Sequence, residues 1–346
     1  MTTHTPLRCA YSSAVAYGSG ASGKILFLDS GNYPSYSNYG NLSYIWNGTN
    51  GAGDWTLLNS SNYSNPANTV DPLGPLGPSV NGVKLSGRIN EAMGFDGTQV
   101  VLYGGQGSSS LAGVYQDTWG FNTTSNTWSL LAPSTKPYGR QGAKATYLPG
   151  TGMVMFGGAL ANGQLLNETW LWNSTSQNWS QFTTANVQGA APEARVGHAM
   201  ATNTTSGTVL LFGGRGTNQQ FNSTWTFTAA NGWTNLNISS ANSPSVRSEH
   251  CMCYDSVNNL FVMFGGQNEY NFLHEVWTFN PVSSSWTQIP LPNVSGTSPS
   301  GRIGAMMAFD TVSGTSILTG GISAESQYPA SSTWSFNAST NLWKKL

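Results

Sequence analysis

The sequence predicts an all-β chain made of six similar units, each of four short antiparallel strands. Three observations predict it. An Arg opens each unit, at Arg8, Arg88, Arg140, Arg195, Arg247 and Arg302. An apolar run ending in Gly-Gly follows in five of them: Gly104-Gly105, Gly157-Gly158, Gly213-Gly214, Gly265-Gly266 and Gly320-Gly321. A Trp then stands near the start of the third strand and another near the end of each unit, so that all 13 Trp of the chain fall on repeat positions or two residues after them. Residues 195–236 display the unit in full: R-V-G-H-A-M-A, T-V-L-L-F-G-G, S-T-W-T-F-T and G-W-T-N-L. These runs are β-branched and aromatic, and Gly, Asn, Ser and Thr divide them, as expected of strands joined by turns.

The elements follow in order. The first unit spans about residues 8–58; Asp29-Ser30-Gly31 stands where the Gly-Gly pair belongs, and a Tyr- and Asn-rich loop precedes its third strand. Residues 59–87 are a Pro-, Gly- and Asn-rich insertion, and long connections of this kind are usually functional or mobile. The remaining units cover about 88–132, 140–183, 195–237, 247–290 and 302–346. The phase makes each unit from contiguous sequence, so the ring is expected to close by packing of the first unit on the sixth. Residues 1–7 are the one candidate for an extra strand.

A period near 50 residues with four strands, Gly-Gly and a late Trp matches the kelch repeat. Over about residues 8–346 the chain resembles a kelch-repeat β-propeller, similar to the kelch modules of animal adaptor proteins and the propeller domain of galactose oxidase. The resemblance implies one six-bladed domain with four antiparallel strands per blade. It implies little about function, because propellers host many unrelated tasks.

Composition narrows the function classes. Charged residues make up 8% of the chain and the net charge is −1. No basic field exists for a nucleic-acid partner, and no apolar run of 18 residues exists for a membrane-spanning helix. Thirteen Asn-X-Ser/Thr sequons occur: Asn41, Asn47, Asn59, Asn62, Asn122, Asn167, Asn173, Asn178, Asn203, Asn222, Asn237, Asn293 and Asn337. Two readings stand, glycan acceptors or simply good turn residues. With a surface of neutral amides and hydroxyls, they lead us to expect a glycosylated, acid-tolerant, extracellular or cell-surface protein, with a protein or glycan partner. The N-terminus has no apolar signal segment, so the chain reads as a mature part.

Topology puts the strand-one starts, the Gly-Gly pairs and the variable loops on one face, here the loop face. The tight hairpins lie on the other. A ring of guanidinium groups from the repeat arginines, joined by Arg215, would suit a carboxylate or sulfate ligand at the channel mouth. The competing reading is structural: each Arg bonds carbonyls of the neighbouring blade. In the resembling adaptors, arginines near this face receive acidic peptides. Glu269 and Tyr270 head a set of loop aromatics and amides (Tyr33, Tyr36, Tyr115, Phe221, Phe272, Tyr328) suited to sugar stacking, or to ordinary loop packing.

His198 and His250, each three residues after its Arg, read as core imidazoles rather than metal ligands. Tyr11, Glu91, Ala143 and Ala305 align with them. Cys9, Cys251 and Cys253 read as small buried hydrophobes. No catalytic residue, metal or cofactor is expected. A carbohydrate-active enzyme is the alternative, either galactose-oxidase-like or sialic-acid-mutarotase-like, with Glu91 or Glu249 beside the arginines as the nearest acid–base arrangement.

Overall fold

The computed structural model describes residues 10–18, 23–31, 39–48, 53–58, 79–80, 83–107, 113–183, 191–291, 297–323 and 330–346. They form six four-stranded antiparallel sheets, each contiguous in sequence, around a common axis. The innermost strands are Ser13–Tyr17, Ala92–Phe95, Lys144–Leu148, Ala199–Asn203, Cys251–Asp255 and Met306–Asp310. This is a six-bladed propeller. Arg8 and Cys9 lie outside the described residues.

The core sits between blades. The second-row strands are largely apolar, as in Gly152–Phe156, because both of their faces meet a neighbouring blade. The repeated Trp near the end of each unit does two jobs. Its ring packs in the inter-blade core, and its indole N–H reaches a hydroxyl at the head of the third strand of the preceding blade. Trp128 donates to Ser43, Trp179 to Thr118, Trp233 to Thr169 and Trp286 to Thr224, at 2.8–3.1 Å. Trp55 of blade one donates to Thr333 of blade six at 3.2 Å, and Trp46 to Asp310 at the same distance. The first and last blades are therefore joined by the same bond as any other pair. Trp343 is the exception: the matching position holds Val276, and its buried N–H has no partner.

A second seam runs around the axis. Tyr11, Asn90, Gly142, Gly197, Glu249 and Gly304 all have φ between 57° and 68°, a region that favours glycine. They link blade to blade by backbone bonds: Asn90 N–H to Tyr11, Gly142 to Asn90, Glu249 to Gly197, Gly304 to Glu249 and Tyr11 to Gly304, at 2.7–3.0 Å. Tyr11 takes a position that lies two residues after the Arg elsewhere, yet it is three residues after Arg8. The first blade thus carries one extra residue, and Ser12, not Tyr11, is the counterpart of His198. Around the rim, the second Gly of the first four pairs completes a third seam, as when Gly158 N–H donates to the Arg195 carbonyl at 3.0 Å.

Candidate functional site

The five described repeat arginines do not ring the channel mouth. Arg88, Arg140, Arg195, Arg247 and Arg302 are 0–3% exposed and lie inside their blades. In each, Nε donates to the carbonyl two residues earlier, and Nη1 donates to the carbonyl of the first Gly of the pair in the same blade, at 2.9–3.2 Å. Nη2 then meets an acid: Asp117 at 2.8 Å, and Glu168, Glu193 and Glu275 at 2.6 Å. Arg302 instead uses Ser300 and Ser332. The side chain ties its own blade; only the backbone carbonyl reaches the neighbour. The bonds expected to run between blades therefore run within them.

Three of these acids stand two residues before the landmark Trp and also accept its indole N–H, at 2.7–2.9 Å. Blades four and six carry Ser223 and Ser332 there, and Trp225 and Trp334 are left without a partner. The signal for this acid position in the sequence is its recurrence two residues before the Trp in blades two, three and five, a spacing that neither the Arg nor the Trp pattern reveals alone. Burial pushes the Asp117, Glu168 and Glu275 carboxyls up, but the adjoining guanidinium and indole donors outweigh it and hold all three below the usual carboxylate range. Arg88 also stacks on Tyr115 at 4.2 Å, and Arg195 on Phe221 at 4.1 Å. Those two loop aromatics are spent on the arginines.

What projects from the loop face is different. Tyr270 is 84% exposed and Tyr138 is 72% exposed. Asn268 holds Tyr270 out, its side-chain oxygen accepting from the Tyr270 and Asn271 N–H groups at 3.0 and 2.8 Å. Glu269 and Arg215 are exposed as well. Phe272 is half-buried. Tyr33, Tyr36 and Tyr328 lie outside the described residues.

The axis holds a second constellation. His198 and His250 are buried and lean edge-on against Phe156 and Phe212, with ring centroids 5.6 Å apart in both cases. Neither imidazole has a well-aligned hydrogen-bond partner, so ring packing holds them. Burial and nearby cations push His250 down to about 3 and His198 well below its ordinary value. Glu91 is 1% exposed, and burial raises its carboxyl against the pull of Lys144 and Arg88. Glu249 is raised by burial too. Cys251 and Cys253 are buried free thiols, and burial pushes Cys251 up to about 12. Among the described residues no group of three His, Cys, Asp or Glu is placed to hold a metal ion.

The sequons divide by environment. Asn122, Asn167, Asn173 and Asn237 are exposed. Asn122, Asn173 and Asn337 use the side-chain oxygen to close a turn onto following N–H groups. Asn203 is buried with its amide nitrogen on Asn259. Asn178 and Asn222 spend theirs on Ser134 and Ser243, and Asn47 on Thr56. Asn59, Asn62 and Asn293 lie outside the described residues, as does the side chain of Asn41.

Comparison with known proteins now bears on the fold. The family description KLHDC2/KLHL20/DRC7 Kelch-repeats domain matches residues 35–188 and 180–346. The chain belongs to the kelch-repeat family. An F-box/kelch-repeat protein of Arabidopsis thaliana is 26% identical over 219 residues, which is 58% of this chain and 44% of that protein. The kelch chain thus spans less than half the length of that relative. The solved structure of YjhT superposes with a TM-score of 0.68 over 99% of this chain and 98% of its own, at 14% identity. That likeness concerns the propeller fold alone.

Proposed function

We propose that this kelch propeller is an interaction module that takes a protein partner on its loop face, and that it works in an extracellular or cell-surface setting. The observation that carries this reading is the loop relief: Tyr270 and Tyr138 stand out of the face, beside the exposed Glu269 and Arg215. Exposed Tyr on a rigid turn supplies large contact area at low entropic cost. Three cavities of about 90, 570 and 500 Å³ line the axis or the hairpin side, and none of them is walled by the Gly-Gly loops. Projecting side chains of this kind suit a broad protein surface better than an enclosed small-molecule pocket. The sequons and the low charge support the extracellular setting.

The test is photo-crosslinking in the source organism's surface fraction. A crosslinking residue at position 270 is compared with one at exposed Val282 on the hairpin face. A defined adduct from position 270 alone supports the reading; equal adducts from both, or none from 270, overturn it. Intact mass of the native protein checks the setting, with added hexose-type mass expected at exposed sequons such as Asn122 and Asn173 and none at buried Asn203.

A further inference from the structure

The axial channel contains a set of polar groups that the fold leaves unsatisfied. Both carboxylate oxygens of Glu91 are buried without a well-aligned hydrogen-bond partner; burial raises the carboxyl, and its own backbone N–H, the Ser13 hydroxyl and the Lys144 charge lie close enough to offset only part of that. Lys144 is half-buried at a position where other blades carry Ala92, Ala199, Cys251 or Met306. Among the described residues its ammonium makes no hydrogen bond or ion pair, and only its backbone pairs, with Phe156. The nearby Ser13 hydroxyl is committed to the Glu91 backbone carbonyl at 3.2 Å. Between these groups lies a cavity of about 90 Å³, and polar cavities of this size are ordinarily filled.

This neck opens past Met93, Met200, Met252 and Met307 toward a wider chamber of about 570 Å³ at the hairpin end, which shares those four residues as walls. Methionine side chains are unbranched and adaptable, so the collar between the two can give. Phe95, Tyr147, Tyr254 and Phe309 face the wide chamber, with Thr146 and Thr204 among them. Tyr17 joins this wall with a hydroxyl that is buried and without a partner.

We propose that the axial channel is a saccharide-binding site entered from the hairpin face. The argument is one of matching groups. The neck is lined by one ammonium, from Lys144, and one carboxyl, from Glu91, so it favours neither a net anion nor a net cation. A ligand there needs donors and acceptors together, which sugar hydroxyls supply. The wide chamber offers aromatic rings for the C–H face of a pyranose, plus hydroxyl groups. Its volume lies in the usual range of small-ligand pockets. Tyr17 and Glu91 gain the partners that they lack when a polyhydroxylated ligand fills the axis. The site is entered from the face opposite the one assigned to the protein partner and does not depend on that assignment.

The test is saturation-transfer NMR with calorimetry, using methyl glycosides of glucose, galactose, mannose and N-acetylglucosamine, with cellobiose and maltose. Transfer to sugar C–H protons is expected for at least one of them. Ala16 is an exposed residue on the chamber wall, so Ala16→Trp fills the chamber without disturbing the core. It should weaken binding at least tenfold, as should Tyr147→Ala. Lys144→Met should weaken it at least fivefold, and Tyr270→Ala should leave it unchanged. Melting curves confirm that each variant is folded. No transfer from any sugar, or wild-type affinity in Ala16→Trp, overturns the proposal. Binding of benzoate or benzylammonium in place of every sugar overturns the ligand class.

Discussion

The buried arginines and the axial channel are both built from positions at the start of the innermost strands, yet they treat charge in opposite ways. The arginine layer repeats in every described blade after the first, and each guanidinium has carbonyl, carboxylate or hydroxyl partners within its own blade. The axial layer does not repeat. Ser12, Glu91, Ala143, His198, His250 and Ala305 occupy one ring of equivalent positions, and the Glu91 carboxylate has no well-aligned partner. A group repeated by every unit serves what every unit needs, which is closure of the blade. Recognition is to be sought where the repeats disagree.

The largest expected effect breaks the first layer. Arg140→Ala removes a fully buried cation, leaves the Gly157 carbonyl without that donor and leaves Glu168 with the Trp170 indole alone. It should destabilise by about 3–5 kcal/mol, read as a lowered midpoint in urea. Arg302→Ala, where hydroxyls of Ser300 and Ser332 stand in place of the acid of the other blades, should cost less.

The same contrast appears with pH. Asp117, Glu168 and Glu275 have lowered folded pKa values, so their contribution is complete above the ordinary carboxylate value of about 4 and is lost as pH falls through the lowered values. Glu91 works in the other sense. Its pKa is raised, so its ionisation penalises the fold as pH rises above about 4. Glu91→Gln should therefore stabilise by about 1–3 kcal/mol at pH 7, with the gain vanishing below pH ~4; chemical denaturation at the two pH values reads it. Tolerance of acid, expected from sparse carboxylates, is thus limited to what blades two, three and five retain once these acids protonate.

The smallest effects test the inter-blade seam. Thr224→Val orphans the Trp286 indole and should cost about 1–2 kcal/mol. Val276→Thr offers the missing acceptor to Trp343, and should be neutral or stabilising by up to about 1 kcal/mol, although Val to Thr in a core is ordinarily unfavourable. A loss of stability in Val276→Thr equal to that in Thr224→Val would show that the hydroxyl bond is not what sets the position.

Much of this fold was legible because a propeller writes its period into the chain. The Gly-Gly pair had to be Gly: a Cβ on Gly104, Gly157 or Gly213 would come within 2.5–2.7 Å of the next blade's Arg carbonyl. The Trp positions were equally readable, since each fills an inter-blade gap of fixed size. The extra residue in blade one was not, because Arg8 resembles a repeat opening and only the Tyr11 backbone bonds reveal the offset. Nor was the role of the arginines, since a conserved-looking pattern of guanidinium groups reads alike whether it faces a ligand or a carbonyl. The axial constellation was the least legible. Glu91 and Lys144 come from two blades and line one cavity only when the ring closes.

The measurement that bears most directly on the account combines both readouts in one variant. Arg247→Ala is made in a protein carrying the crosslinker at position 270, and unfolding is followed alongside adduct formation at a temperature where the variant remains folded. A strongly lowered midpoint with undiminished crosslinking is the predicted result. Unchanged stability with lost crosslinking would contradict it and return the arginines to the binding surface.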